Sequence, residues 1–441
     1  MRIVIAIHHF PPTYTAGAEW QAFRLARGLI ARGHDVRVIT IEHVDRGATD
    51  GTLAWEDTTY QGVPVRRLAF DLARVPDRDG FEFRNLWIRD HLEAWFRELR
   101  PDLVHLYSGY LMTGAVLEAA ESVGLPRMVN AVDFWFLCRR ITLLRSDGRV
   151  SELPVRPEAC VQCLAEEQRR NRFLGRLLPG LMRRYYAGQT AAAARIVERM
   201  TYLRERLNAT DLVLVNSEFL RETYIQFGVS PERVVFLRQG LDLPALDPDV
   251  LAKPPADELR VGYFGQIAPQ KGIHVLIEAA RRVTDPRLRV LIYGDATRFP
   301  EYTAQLNHLI GSDARITFAG TYRGQAEQAQ ALRTVDVLVV PSVWYENSPN
   351  VILEAYAHRT PVLAADWGGM AEMVEPGRGG LKYPPGDAAA LASLFERLLT
   401  EPDLLAQLGR DFPSVKTLDQ EVEETEAIYR QLAAVAPASG A

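Results

Sequence analysis

Pro341-Ser342-Val343-Trp344-Tyr345-Glu346-Asn347-Ser348-Pro349-Asn350-Val351-Ile352-Leu353-Glu354-Ala355 is the stretch on which the fold reading turns. The apolar run Val337 to Val340 ahead of it has the β-branched character of a buried strand and stops at Pro341. A polar loop, Ser342 to Ser348, follows. Pro349 suits the first position of a helix, and Ser348 suits the N-cap before it. The expectation is strand, loop, helix, with Glu346 in the loop and Glu354 more than a turn into the helix. Backbone N–H groups of Asn350 and Val351 then lie at a helix N-terminus, where an anion is favoured, with Asn347 and Ser348 just ahead of them. The plain alternatives are an exposed loop acid for Glu346 and a first-turn acid complementing the helix dipole for Glu354.

The same alternation extends in both directions. Downstream of residue 258 the strand candidates are Arg260 to Phe264, Arg289 to Tyr293, Arg315 to Phe318, Val337 to Val340 and Pro361 to Ala364, with helices starting near Gly272, Tyr302, Gln325, Pro349 and Gly369. Upstream, Ile3 to Ile7, Val36 to Ile41, Leu103 to Leu106, Met128 to Val132 and Leu212 to Val215 read as strands. Gly17 to Arg32 carries a helical stripe of Trp20, Phe23, Leu25 and Leu29 and is closed by Gly33. Alternating strands and helices predict an α/β chain with two Rossmann-like, doubly wound domains facing across a cleft. Their bounds are 1–238 and 259–414, with a Pro- and Asp-rich linker at 239–258. Residues 415–441 hold a C-terminal helix, a candidate to pack back on the N-terminal domain, and a tail.

Composition sets the frame. The chain has 441 residues, 47% hydrophobic and 24% charged, the balance of a globular protein of more than one domain. A net charge of -5 argues against nucleic acid as a partner. Three cysteines are too few for a disulfide framework and point to the cytoplasm. The N-terminal apolar run reads as a first strand rather than a leader, and no run reaches the ~18 apolar residues of a membrane-spanning helix.

Two segments fall outside the alternation. From Gln168 to Val197 no acidic residue occurs, while Arg169, Arg170, Arg172, Arg176, Arg183 and Arg184 interleave with Phe173, Leu174, Leu177, Leu178, Leu181, Tyr185 and Tyr186. This basic amphipathic insertion, near 164–206, suits an anionic membrane surface or a helical insertion packed on the N-terminal domain with a solvated arginine face. Cys138 with the pair Cys160-Val161-Gln162-Cys163 is a weak zinc candidate, since three ligands do not close a structural site; reduced, packed thiols are the alternative.

Phe264-Gly265-Gln266-Ile267-Ala268-Pro269-Gln270-Lys271-Gly272 is a strand end followed by a helix start, with a lysine beside the free N–H groups. Taken with the Glu-x7-Glu spacing of Glu346 and Glu354, it resembles family 4 of the glycosyltransferases, which has the GT-B fold. The likeness extends to Ala365-Asp366-Trp367-Gly368-Gly369-Met370 and to the opening Pro11-Pro12, Gly17-Ala18-Glu19 and Arg32-Gly33-His34-Asp35-Val36, so it covers nearly the whole chain.

The resemblance implies a retaining, metal-independent transfer of sugar from a nucleotide diphosphate donor, a UDP- or GDP-sugar, to a glycan, lipid-linked or small-molecule acceptor, with no cofactor. The setting it implies is cytoplasmic, with peripheral membrane contact as an option. Glu354 would hold the ribose, Glu346 the transferred sugar and Lys271 the diphosphate. Gly17 and Gly265 would admit the phosphates, and Asp133 is a candidate beside the acceptor. Gln266 stands where members often carry arginine, and Val132 where they often carry histidine, so for the first either Lys271 carries more of the charge or another arginine such as Arg238 or Arg323 compensates. Two rival readings are a nucleotide-sugar epimerase of the same architecture and a non-catalytic sugar-nucleotide-binding subunit.

Overall fold

A computed structural model describes residues 1–14, 17–48, 52–242, 257–401 and 403–435. Most of the expected linker therefore lies outside the described residues. The chain forms two compact units: Met1–Gln239 joined by the C-terminal helix Leu418–Val435, and Gly240–Thr417.

The first unit is built on an eight-stranded sheet in the order β3-β4-β2-β1-β5-β6-β7-β8. Its strands are β1 (Arg2–Ile7), β2 (Asp35–His43), β3 (Ala54–Tyr60), β4 (Val63–Ala69), β5 (Leu103–Tyr107), β6 (Arg127–Ala131), β7 (Leu212–Val215) and β8 (Val234–Phe236). All neighbours pair in parallel except β3 and β4. That edge hairpin turns on Gln61 and Gly62, both with positive φ (45° and 84°), the backbone of a tight two-residue turn. Central strands are buried on both faces, as in a parallel sheet covered by helices.

The helix Gly17–Ala31 buries Ala22, Phe23, Leu25, Ala26 and Leu29 against this sheet. The C-terminal helix packs on it so closely that a side chain at Gly28 would meet Val422 at 2.6 Å. Arg32 reaches Glu426 at 3.2 Å, and His34 reaches the same carboxylate at 2.8 Å. Deeper, Tyr429 is fully buried and its hydroxyl lies 2.6 Å from Nδ1 of His105. Burial pushes the His105 imidazole down to about 3, so it is neutral at physiological pH.

The second unit carries seven parallel strands in the order β11-β10-β9-β12-β13-β15-β14. They are β9 (Leu259–Phe264), β10 (Leu288–Tyr293), β11 (Ile316–Gly320), β12 (Val337–Val340), β13 (Val362–Ala365), β14 (Glu375–Pro376) and β15 (Gly379–Tyr383). The chain winds outward from β9 through β10 and β11, then returns to β12 on the other side of β9. The switch point of this doubly wound sheet is therefore the gap between the carboxyl ends of β9 and β12, where open α/β sheets bind ligands. In the first unit the equivalent place lies between β1 and β5.

One expectation at the start of the helix after β12 is corrected. The helix begins at Asn350, not Pro349, and Pro349 takes the N-cap with φ −67° and ψ 115°. Its ring fixes φ while ψ stays extended, which suits a residue just outside the first turn.

Replacing Tyr429 with Phe removes the partner of a buried imidazole whose other nitrogen also has no hydrogen bond among the described residues. The expected cost is about 1–3 kcal/mol in urea unfolding. A change below ~0.5 kcal/mol, the range of a surface substitution, would contradict this packing.

Candidate functional site

Both loops at the switch point of the second unit carry the residues selected from the sequence. After β9 the chain runs through Gly265 (φ 148°) and a single helical turn, Pro269–Lys271, to Gly272. Gly272 has φ 70°, and a Cβ there would lie 1.9 Å from the Pro341 carbonyl oxygen. The glycine thus lets the loops after β9 and β12 touch backbone to backbone. The Val343 N–H donates to the Gln270 carbonyl at 2.9 Å and locks them together.

That contact brings Lys271 to Glu346, with Nζ 2.6 Å from Oε1. Ser342 Oγ and Trp344 Nε1 donate to the same oxygen, each at 2.8 Å. The lysine ammonium also sits 5.1 Å from the centre of the Trp344 ring. Glu346 is only 8% exposed. Burial pushes its carboxyl up, but the Lys271 charge and the three hydrogen bonds outweigh burial and hold it below its ordinary value. It is therefore ionised at neutral pH. The stabilisation from the pair is complete above the ordinary carboxylate range and fades as pH falls through the lowered value. All three donors use Oε1. Among the described residues no hydrogen bond reaches Oε2.

The segment after β13, Trp367 and the start of the helix Gly368–Met373, clamps Glu346 from behind. The Gly369 N–H donates to the Glu346 carbonyl at 2.7 Å, and a Cβ on Gly369 would collide with the Asn347 carbonyl oxygen at 1.5 Å. Trp367 Nε1 donates to the Ser342 carbonyl at 3.1 Å. Ser348, expected as a helix cap, instead sends its hydroxyl to the Met373 sulfur at 3.7 Å. Asn350 and Val351 open the helix Asn350–Ala357, and Glu354 stands one turn further in. Gln328 Nε2 donates to Glu354 Oε2 at 2.5 Å.

Gln266 is flanked by an arginine that the sequence reading did not select. With the Gln266 amide oxygen turned toward it, Arg298 approaches through Nε at 3.1 Å and Nη1 at 3.0 Å. The cation set beside Gln266 is thus Arg298. Of the two arginines expected to compensate, the Arg323 backbone N–H caps onto Glu327, and Arg238 lies over the Phe236 ring in the first unit.

Gly17 and Asp133 belong to the first unit. Asp133 follows β6 and accepts from Ser108 Oγ at 2.6 Å and from the Trp135 N–H at 2.8 Å. Burial pushes its carboxyl above the ordinary value against those two hydrogen bonds. Ser108 follows β5, and His8, which follows β1, lies 3.4 Å from the buried Glu19. Burial pushes the Glu19 carboxyl up, but the His8 hydrogen bond and charge hold it below normal. His8, Glu19 and Ser108 thus join Asp133 at the carboxyl ends of β1, β5 and β6, a cluster the sequence reading passed over. Gly17 opens its helix with nothing within 4 Å of the point a Cβ would occupy, so the fold of this unit does not itself require glycine there.

A separate cavity of about 1000 Å³ lies in the first unit, bounded by the insertion helices Pro157–Ala165, Pro179–Ala187 and Thr190–Ala209. It contains none of the residues selected for a donor. Cys138, Cys160 and Cys163 line it as free thiols, and burial raises Cys160 to about 12. Among the described residues no group of three or more His, Cys, Asp or Glu side chains is placed to hold a metal ion, so the zinc candidate is not carried further. None of the described helices is long and apolar enough to cross a membrane.

Comparison with known proteins places this geometry in context. Residues 16–240 match the family described as Glycosyl transferase 4-like domain, and residues 258–401 match Glycosyl transferases group 1. The chain is 31% identical over 222 residues to the D-inositol 3-phosphate glycosyltransferase of Streptomyces bingchenggensis, a match covering 46% of this chain and 48% of that protein. The chain therefore spans about half the length of this curated relative. Among solved structures, sucrose-phosphate synthase from Thermosynechococcus elongatus superposes with a TM-score of 0.67 at 22% identity, covering 98% of this chain and 99% of that one. Anabaena HepE, solved in complex with UDP, gives 0.63 at 18% identity over 98% and 99%. At those identities the structural likeness is one of fold.

Gly272→Ala is expected to lower the stability of the second unit by at least about 2 kcal/mol, because the methyl group has a carbonyl oxygen in its place and the backbone is left-handed. Gly17→Ala is expected to stay within about 0.5 kcal/mol of the parent. Urea unfolding of both variants checks the contrast; equal effects would contradict the loop contact.

Proposed function

The chain belongs to the glycosyl transferases, matching the 4-like domain family over half its length, and from that membership we propose that it moves a sugar from a nucleotide diphosphate donor to an acceptor hydroxyl with retention of configuration and without a metal ion. The observation that carries this reading is the pairing of half-buried Lys271 with buried Glu346 at the switch point of the second sheet. Breaking a glycosidic bond to a diphosphate builds negative charge on the leaving oxygens and positive charge on the sugar ring. Lys271 supplies a full positive charge for the first, and the N–H groups of Asn350 and Val351 supply partial ones. Glu346 is ionised and has an oxygen free of hydrogen bonds among the described residues to accept from a sugar hydroxyl. Glu354 is the acceptor assigned to the ribose.

From the first unit, Asp133 is assigned to the acceptor side and Gly17 to close approach of backbone to the donor. In a front-face reaction the departing diphosphate itself takes the acceptor proton, so no protein nucleophile is needed. The acceptor then enters on the face that the diphosphate leaves, which gives retention. With Lys271, Arg298 and backbone N–H groups meeting the phosphate charge, a metal has no required role. A UDP- or GDP-sugar is the donor class we favour, with a glycan, lipid-linked or small-molecule acceptor, in the cytoplasm or at its membrane face.

Thermal-shift measurements with UDP-, GDP-, ADP- and TDP-sugars test the donor claim: one base is expected to raise the melting temperature, since a ligand that binds only the folded state stabilises it by mass action. With that donor, Lys271→Ala is expected to lower turnover by at least ~10²-fold. A loss below tenfold would show that the diphosphate is held elsewhere. Gly17→Ala is expected to lose activity at unchanged stability, and proton NMR of the product is expected to show the donor's anomeric configuration.

A further inference from the structure

Within the acid-free stretch between Gln168 and Val197, ahead of the longer helix Thr190–Ala209, lie two short helices with an unusual surface. Arg169–Leu177 buries none of its residues. A nine-residue helix has little stability in water by itself and is normally held by burying its amphipathic face. In Pro179–Ala187 only Tyr186 is buried. Their large apolar side chains point outward instead: Phe173 is 62% exposed, Leu177 60%, Leu181 61% and Tyr185 57%, with Leu178 beside them. Most of the large hydrophobic side chains exposed among the described residues fall in this one segment.

The arginines around that apolar row are as informative. The side chains of Arg169, Arg176, Arg183 and Arg184 make no ion pair or hydrogen bond among the described residues. On the first helix Arg169, Arg172 and Arg176 follow one another at helical spacing and flank the row of Phe173 and Leu177. Long arginine stems beside an apolar stripe allow the charged heads to sit at a polar boundary while the stripe goes deeper. A second copy of this chain would bring unpaired arginines against their own kind. An anionic bilayer answers both features at once, with acyl chains for the apolar row and phosphate groups for the arginines.

We propose that the helical pair 169–187 docks flat on an anionic phospholipid surface, burying Phe173, Leu177, Leu178, Leu181 and Tyr185 at the level of the headgroups. The docking is independent of the glycosyl-transfer reading and stands or falls by a binding measurement alone.

The test is flotation of the full chain with vesicles of phosphatidylcholine containing phosphatidylglycerol and with vesicles of phosphatidylcholine alone. Binding is expected only to the anionic vesicles, and it is expected to weaken as salt screens the arginines. The variant Phe173→Ser/Leu177→Ser/Leu181→Ser is expected to lower the binding constant at least about tenfold, as is Arg176→Gln/Arg183→Gln/Arg184→Gln. Because these side chains are exposed, the melting temperature of both variants is expected to match the parent, which separates lost docking from lost folding. Equal binding to both vesicle types, no binding at low salt, undiminished binding by either variant, or self-association of the parent that the serine variant abolishes would each overturn the proposal.

Discussion

One ion pair organises the second half of this protein. Lys271 comes from the loop after β9 and Glu346 from the loop after β12, and they meet at 2.6 Å across the switch point of the sheet. Everything nearby serves that meeting. Gly272 lets the backbones touch, Ser342 and Trp344 hold the carboxylate oxygen, and Gly369 fixes the peptide behind it. A buried carboxylate costs a large desolvation free energy unless it is paired and hydrogen-bonded, and breaking such a pair from one side leaves the other charge uncompensated.

The arrangement also has a functional logic. The lysine charge is balanced by Glu346, so the pair presents a cation without an unpaired buried carboxylate. In the proposed reaction a diphosphate would share the lysine with a carboxylate already fixed by Ser342 and Trp344. Little of the site then needs to reorganise as charge develops, which is where preorganised electrostatics contribute most to catalysis. Arg298 adds a second cation one loop away, with its guanidinium against the Gln266 amide.

Much of this was legible in the residues because strands and helices announce themselves locally. The β-branched runs Ile3 to Ile7 and Val337 to Val340 and the stripe of Phe23, Leu25 and Leu29 correspond to β1, β12 and the buried face of the first helix. The spacing of Glu346 and Glu354 pointed to the loop and the helix that carry them. The sequence hid what depends on distant partners. Trp344 and Ser342 looked like loop residues and Gly369 like a helix start until folding set them around one carboxylate. Arg298 reaches Gln266 from the loop after β10, and Gln328 reaches Glu354 from another helix. His8 follows the first strand and Glu19 lies in the first helix, and their pairing appears only when those two elements pack together. The β3–β4 hairpin escaped notice because Trp55 to Thr59 is polar and largely exposed, so its alternation carries little apolar signal. The misreading at Pro349 is a shift of a single residue at a helix end.

The central claim is that Lys271 and Glu346 act as one unit on the donor. A double-mutant cycle on nucleotide-sugar affinity, read by calorimetry for the parent, Lys271→Met, Glu346→Gln and the two combined, tests it most directly. If the pair is one unit, the losses are strongly non-additive, with the combined variant losing at least ~1 kcal/mol less than the sum of the single losses. Losses that add to within about 0.5 kcal/mol would mean that the two side chains work independently and that their contact is only structural.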